Sequence, residues 1–341
     1  MSVPTIVLFL LSGLFLGWSL GANDAANVFG TAVGSRMIGF RTAAAVTAAF
    51  VMLGAVLEGD GATRTLESLG AVRSLSGSFV VALAAAVTVT LMTRAGLPVS
   101  TSQAIVGGIL GWNLYHGSPI DEDALLRIVT GWAAGPILAG LLAAGLFLAV
   151  RAWARRSRIH ILEWDAATRI ALLVVGAFGA YSLGANNIAN VVGVFVPVSP
   201  FHDFQIGPLA VDAARPLFLV GAAAIGVGIF TDSRRVMRTV GHDLFRLTPI
   251  AALVAVAAES VVLYLFASGA LRARLIGAGL PAFPLVPISS SQVVIGAVLG
   301  IGLAKGRRGV RFGLLGKIAA GWAVTPLLAA LLCFAALAAL R

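Results

Sequence analysis

The stretch "LGANDAANVFG" occupies residues 20–30, and "LGANNIANVVG" occupies residues 183–193, each inside a long apolar run. Both copies place amide or acid side chains where a membrane helix normally carries leucine. These residues are Asn23, Asp24 and Asn27 in the first copy and Asn186, Asn187 and Asn190 in the second. Polar groups at membrane depth are costly and usually functional. The doubled motif therefore predicts a polar site that both halves of the chain build.

The composition of the chain indicates that it lies in a lipid bilayer. Of its 341 residues, 59% are hydrophobic and 11% are charged, with a mean hydropathy of +0.98. A soluble domain carries roughly 25% charged residues, so we expect a polytopic integral membrane protein. The 24 Lys and Arg residues exceed the 14 Asp and Glu residues, but no basic stripe alternates with stacking aromatics, so no nucleic-acid partner is expected.

Two further stretches recur in the same order. "LPVSTSQAIVGGILG" at 97–111 matches "VPISSSQVVIGAVLG" at 286–300, and "GWAAGPILAG" at 131–140 matches "GWAVTPLLAA" at 321–330. Each half contains five apolar segments, and an odd number makes the second half enter the membrane from the opposite side. The pattern predicts two inverted-topology repeats, residues 1–158 and 159–341, whose matching broken helices mark a binding site near the midplane.

The predicted fold is an all-α polytopic membrane bundle with broken helices and re-entrant half-helix hairpins. The first segment of each repeat is too long for one straight span, and Gly21 and Gly184 are predicted to open breaks in it. The segment 76–116 fits either two spans or a re-entrant hairpin.

Basic residues predict the orientation. If each segment reverses the side, one side receives Arg36, Arg41, Arg94, Arg151, Arg155, Arg156, Arg158, Arg234, Arg235, Arg238, Lys305, Arg307, Arg308 and Arg311. The other side receives Arg64, Arg73, Arg272, Arg274 and Arg341. The positive-inside rule then makes the first side cytoplasmic. We expect a multi-pass protein of the plasma (inner) membrane with both termini outside.

The repeated serine motifs are candidates for anion binding. Each follows a proline, which cannot continue a helix, and begins with residues that cap helices well. A helix start offers free N–H groups, the positive end of the dipole and hydroxyl donors. The candidate residues are Ser100, Thr101, Ser102, Gln103, Ser289, Ser290, Ser291 and Gln292. A plain helix cap is the alternative reading of a single copy.

The Asn/Asp motifs are candidates for cation binding. Asn23, Asp24, Asn27, Asn186, Asn187 and Asn190 supply amide and carboxylate oxygens, which suit a small hard cation such as Na⁺. Hydrogen bonding between helices is the alternative for the amides. Glu259, in the middle of an apolar segment, is a candidate coupling acid, and a snorkelling side chain is its alternative.

These doubled motifs resemble the inorganic phosphate transporter (PiT) family, whose members carry duplicated GAND-type and P-[VI]-S-[TS]-[TS]-type motifs. The resemblance covers essentially the whole chain. It implies a cation-coupled phosphate symporter with inverted repeats and half-helix hairpins, usually a homodimer. Two departures stand out. Asn187 replaces the usual second Asp, and Gln103 and Gln292 replace the usual His, so a histidine-based proton step is not available there.

The resulting hypothesis is a secondary active symporter that moves inorganic phosphate with a cation, most simply Na⁺, across the plasma membrane by alternating access. No cofactor is expected apart from the co-transported Na⁺. A sulfate permease of the same fold and a proton-coupled phosphate symporter are the alternatives within this class. A channel is a further alternative. An enzyme is not expected, because no nucleophile–base set or metal cluster is visible.

Overall fold

The computed structural model describes residues 3–70, 72–95, 99–157, 160–206, 209–239, 247–306 and 312–340. The helices of the first half are α1 (Val3–Gly34), α2 (Phe40–Glu58), α3 (Asp60–Leu69), α4 (Leu75–Arg94), α5 (Thr101–His116) and α6 (Glu122–Arg156). Those of the second half are α7 (Ile161–Val192), α8 (Ala214–Thr231), α9 (Ser233–Thr239), α10 (Pro249–Ala267), α11 (Gly269–Gly277), α12 (Ser290–Ala304) and α13 (Phe312–Ala339). A 3₁₀ helix, Gly193–Val198, extends α7.

Eight of the described helices are long and apolar enough to cross a membrane, namely α1, α2, α4, α6, α7, α8, α10 and α13. The prediction of a polytopic membrane protein is thereby confirmed. The helices α5 and α12 contain 16 and 15 residues. At 1.5 Å per residue they are about 24 and 22 Å long, short of a hydrocarbon core of about 30 Å.

Both short helices begin at the serine motifs, as the sequence predicts. Ser100 has extended backbone, and its hydroxyl oxygen accepts a hydrogen bond from the backbone N–H of Gln103 at 3.2 Å. Ser289 does the same for Gln292 at 3.3 Å. Each cap satisfies one of the N–H groups that a helix start leaves without a partner.

The predicted breaks in the first segment of each half are wrong. Helices α1 and α7 run without interruption through both polar motifs. Gly21 and Gly184 serve close packing instead. A Cβ on Gly21 would collide with the carbonyl oxygen of Ile225, and one on Gly184 with that of Val51. The missing side chains let the backbones of α8 and α2 approach the two motif helices directly.

Contacts between helices occur in matching pairs. Helix α1 packs on α8 and α4, while its counterpart α7 packs on α2 and α10. The half-helices are exchanged, because α5 packs on α13 of the second half and α12 packs on α6 of the first. A Cβ on Gly107 would collide with the carbonyl oxygen of Pro326, and one on Gly296 with that of Pro136, so glycine permits close packing at both contacts. This exchange brings both half-helix starts into the middle of the bundle.

One small departure from the all-α prediction lies before α8. Strand β1 (Phe204–Ile206) pairs antiparallel with β2 (Leu209–Val211), with Gln205 opposite Ala210. Helix α8 begins at Ala214, after this hairpin. Asp203 and Asp212 accept hydrogen bonds from the backbone N–H groups of Ala213 and Ala214. These hydrogen bonds hold the backbone at the position where α8 begins.

Candidate ion-binding site

The starts of α5 and α12 meet in the interior and hold each other through their serines. The Ser102 hydroxyl donates to the Ile288 carbonyl at 3.0 Å, and the Ser291 hydroxyl donates to the Val99 carbonyl at 2.8 Å. In both cases the acceptor is the residue immediately before the helix cap of the other half. The two half-helix starts are therefore fixed against each other by a reciprocal pair of buried hydrogen bonds.

The first Asn/Asp motif, on α1, faces the start of α12. The Ser290 hydroxyl donates to Asp24 Oδ2 at 2.9 Å. Asn23 Nδ2 donates to Asp24 Oδ1 at 3.2 Å, and Asn27 Nδ2 lies 3.5 Å from the Ser290 oxygen. Asp24 is only 1% exposed. A carboxylate is thus buried at the N-terminal turn of a half-helix, where the helix dipole favours a negative charge.

The second motif, on α7, faces the start of α5. Asn190 Nδ2 donates to the Ser102 hydroxyl and to Asn187 Oδ1, each at 2.9 Å. Asn186 Nδ2 donates to the Val286 carbonyl at 3.2 Å. All three amides are buried. The predicted cation-side and anion-side residues therefore form one polar cluster that both halves build.

Several buried atoms of this cluster have no hydrogen-bond partner within the described residues. They are Asn186 Oδ1, Asn187 Nδ2, Asn190 Oδ1 and both carboxyl oxygens of Glu259. Glu259 is buried on α10, which contacts α1 and α12. A buried polar atom without a partner costs free energy that a ligand can recover. The candidate coupling acid therefore lies on a helix that contacts the helix of the first motif, and the amides retain atoms with which to bind ions.

The side chains of the two glutamines make no described hydrogen bond to this cluster. Gln103 and Gln292 are buried, and neither Oε1 has a partner within the described residues. Gln103 lies one helical turn before Gly107, on the face of α5 that meets α13. Residues four apart share a helix face, so Gln103 lies on the side of α13 and Gln292, by the same spacing, on the side of α6.

The segment Leu285–Ile288, which leads into α12, is held by two predicted site residues, Asn186 and Ser102, and by two residues that were not predicted, Thr65 and Trp132. Its four consecutive carbonyls accept bonds from Thr65 Oγ1 at 2.6 Å, Asn186 Nδ2 at 3.2 Å, Trp132 Nε1 at 3.3 Å and Ser102 Oγ at 3.0 Å. Trp132 belongs to the repeated "GW" pair, whereas no sequence signal distinguishes Thr65. Four elements thereby fix the position of the α12 start.

Two acids with shifted pKa values, Asp60 and Glu67, lie on the short helix α3, outside the membrane spans. Burial raises the pKa of the Glu67 carboxyl to about 7, with Arg64 opposing the shift and Asp60 adding to it. Burial, followed by Asp212, also raises the pKa of Asp60. Across the described residues, no group of three or more His, Cys, Asp or Glu side chains could hold a metal ion.

The fold and this buried cluster define a class: a multi-pass membrane transport protein with two half-helices meeting at a polar centre. Comparison with known proteins gives the family. The sequence profile of the phosphate transporter family matches residues 20–165 and 158–333. The chain belongs to that family.

Similar proteins cover nearly the whole chain. A protein of Pyrococcus horikoshii, provisionally named a phosphate permease, is 26% identical over an alignment of 399 positions that covers 94% of each chain. One of Methanocaldococcus jannaschii, named in the same provisional way, is 26% identical and covers 97% of this chain and 96% of its own. A solved structure named "The sodium-dependent phosphate transporter" has the same fold, with a TM-score of 0.77, 24% identity and 97% coverage of both chains.

Proposed function

We propose that this protein is a secondary active symporter that moves inorganic phosphate together with Na⁺ across the plasma membrane. The observation that carries the proposal is the pairing of the two kinds of motif. Ser290 on a half-helix start donates to Asp24, and Asn190 donates to Ser102 on the other start. Residues suited to an oxyanion and residues suited to a cation thus share one buried cluster. Membership of the phosphate transporter family supports phosphate as the cargo.

The cation is assigned to the Asn/Asp motifs. Asp24 supplies a full negative charge, and the amides of Asn23, Asn27, Asn186, Asn187 and Asn190 supply neutral oxygens. Carboxylate and amide oxygens are ligands that hard cations prefer. Glu259 is a second buried acid, on a helix that contacts the helix of Asp24, and we assign it the role of coupling residue. The name of the structural neighbour, a sodium-dependent phosphate transporter, supports Na⁺ as the coupling ion.

The anion is assigned to the half-helix starts. Ser100, Thr101 and Ser102 on α5, and Ser289, Ser290 and Ser291 on α12, surround the cluster with hydroxyl groups and helix N-termini. Such starts bind anions through free N–H groups and the dipole. Gln103 and Gln292 lie on other faces of their helices, so we assign them to positioning the half-helices. A cation bound beside the anion offsets charge that neither ion could bury alone.

Transport by alternating access follows from the duplicated architecture. We take residues 1–158 and 159–341 as inverted repeats that rock against each other around the shared cluster. The matching helix contacts and the exchanged half-helices support this division. The protein is proposed to work as a homodimer in the bilayer, with both termini outside, as the distribution of arginines indicates.

Counterflow in proteoliposomes tests the proposal. Vesicles containing the purified full-length chain are loaded with unlabelled anion, and entry of labelled phosphate or labelled sulfate is followed with and without a Na⁺ gradient at two pH values. We expect phosphate entry that Na⁺ stimulates. Entry of sulfate but not phosphate would make the protein a sulfate permease. Phosphate entry that ignores Na⁺ but follows a pH gradient would make the coupling ion a proton.

A further inference from the structure

The two half-helix starts face different charges. We propose that the start of α5, beside Asn187, holds the oxyanion, and that the start of α12, beside Asp24, holds the cation. This inference rests on the proposed function and refines it by assigning each ion to one side of the shared cluster. Asn187 then belongs to the anion subsite rather than to the cation ligands among which its motif places it. Ser289, Ser290 and Ser291 on α12 then belong to the cation side rather than to the anion side.

The start of α12 already has a resident anion. The Ser290 hydroxyl, in the first turn of α12, donates to the buried Asp24 carboxylate. The positive end of the helix dipole is thereby offset, and the hydroxyl proton is used. A second anion at this helix start would meet like charge, whereas a cation would meet the charge that it needs.

The start of α5 is neutral at the matching place. Asn187 stands in its motif where Asp24 stands in the first, and Thr101 corresponds to Ser290. Thr101 makes no side-chain hydrogen bond within the described residues, although it is buried. The dipole of α5 is therefore not offset by a carboxylate from the matching motif, and the hydroxyl of Thr101 keeps its proton for an incoming acceptor.

Asn187 adds a donor at this place. Its Oδ1 is held by Asn190, and the same Asn190 amide group also donates to Ser102 in the first turn of α5. This chain of bonds ties the Asn187 side chain to the α5 start. Its Nδ2, in a side chain only 1% exposed, has no partner among the described residues. A buried donor group without an acceptor favours an oxyanion over a cation.

The second acid enlarges the difference between the two sides. Glu259 is buried on α10, which packs against α12 and also contacts α1, the helix that carries Asp24. The corresponding helix α4 packs against α5 and contains no Asp or Glu from Leu75 to Arg94. Both acids named here therefore lie on helices that contact α12, and the α5 side offers uncharged amide and hydroxyl groups.

Two matched pairs of variants test the assignment in the purified full-length protein. Binding of inorganic phosphate is titrated at low and at saturating Na⁺, and binding of Na⁺ is titrated in parallel. Asn187→Asp places a carboxylate at the α5 start with almost no change in shape. We expect the dissociation constant for phosphate to rise at least tenfold at low Na⁺, equivalent to about 1.4 kcal/mol. Added Na⁺ should reduce this loss by neutralising the new charge.

Asp24→Asn makes the opposite change at the matching position. Here we expect the Na⁺ midpoint to rise, with phosphate affinity recovering once Na⁺ is saturating. The second pair of variants, Thr101→Val and Ser290→Ala, changes no charge. Thr101→Val should shift mainly the midpoint for phosphate, and Ser290→Ala should shift mainly the midpoint for Na⁺. If Asn187→Asp does not fold, as judged by size-exclusion chromatography and thermal unfolding, the uncharged pair decides by the same criterion.

Three results would overturn the inference. Asn187→Asp could bind phosphate at low Na⁺ as the wild type does. Asp24→Asn could lose phosphate affinity at saturating Na⁺ as severely as Asn187→Asp does. Ser290→Ala could shift the phosphate midpoint as far as Thr101→Val. A wild-type protein that binds neither phosphate nor sulfate would instead refute the proposed function itself, and with it the division of the site.

Discussion

Replacing Asp24 by Asn is the sharpest test of the proposed cation site. The substitution keeps the shape of the side chain and removes the one acid present in either Asn/Asp motif. In the structure the Asp24 carboxylate accepts hydrogen bonds from Ser290 Oγ at 2.9 Å and Asn23 Nδ2 at 3.2 Å. The variant loses part of these charge-assisted bonds, worth about 1.5–3 kcal/mol each. It also removes the desolvation cost of a buried charge, which amounts to several kcal/mol.

These opposing effects predict a characteristic result. Without Na⁺, the variant should be at least as stable as the wild type, because the desolvation cost disappears. With Na⁺ at about 100 times the wild-type dissociation constant, the wild type gains about 2.7 kcal/mol of stability. If the carboxylate contributes about 2.7 kcal/mol to binding, Na⁺ affinity falls by about 100-fold. The variant would then gain only about 0.4 kcal/mol at the same Na⁺ concentration.

Thermal unfolding of the detergent-solubilised protein over a series of Na⁺ concentrations measures this gain, and phosphate uptake into proteoliposomes measures the functional loss. Asp165→Asn is the matched control, because it removes one exposed carboxylate that pairs with Arg169 at 3.2 Å on the surface of α7. The control should keep the wild-type Na⁺ dependence. An Asp24→Asn protein with the wild-type Na⁺ midpoint would refute the reasoning and make Glu259 the next candidate ligand.

Three further outcomes are expected. Gly54→Ala should lower the unfolding temperature, because its Cβ would collide with the carbonyl oxygen of Tyr181 at an overpacking cost of about 1–3 kcal/mol. Gly145→Ala is the control and should leave the unfolding temperature unchanged, because its Cβ has no neighbour within 4 Å. Ser157→Cys should resist an impermeant thiol reagent added outside intact cells, and labelling from outside would contradict the predicted orientation. Glu67→Gln should flatten the pH profile of stability. Because the pKa of Glu67 in the folded protein, about 7, lies above the ordinary 4.5, the stability that this group contributes to the wild type is lost as the pH rises from 4.5 to 7. A variant with the wild-type pH profile would refute the burial argument.

The sequence predicted the half-helices well because their signals are local. A proline followed by Ser100 or Ser289 specifies a helix start through backbone chemistry alone. The breaks predicted in α1 and α7 were wrong because a glycine in a helix has two meanings. Gly21 permits either unwound backbone or close approach of a neighbour, and only the position of Ile225 on another helix distinguishes them.

The residues of the candidate site were also only partly predictable from the sequence. Duplication of both motifs indicated one shared cluster, and the structure brings Asp24 to Ser290 and Asn190 to Ser102. The contribution of Thr65 was hidden, because its partner is a backbone carbonyl 220 residues away, and any residue type presents such an acceptor. The direction of Gln103 was hidden for a related reason, since it depends on which face of α5 meets α13.

The contacts that position the half-helix starts do not involve the charged group of the site. The contacts that fix the two half-helix starts are Ser102 to the Ile288 carbonyl, Ser291 to the Val99 carbonyl, and glycines against the carbonyls of Pro136 and Pro326. All of them use neutral groups, and all occur as matching pairs in the two halves. The charge at the motif position takes no part in them. A chain can therefore carry Asp at position 24 and Asn at position 187 without disturbing the symmetric frame. Changes at these two positions should accordingly alter ion binding much more than the unfolding temperature of the ion-free protein.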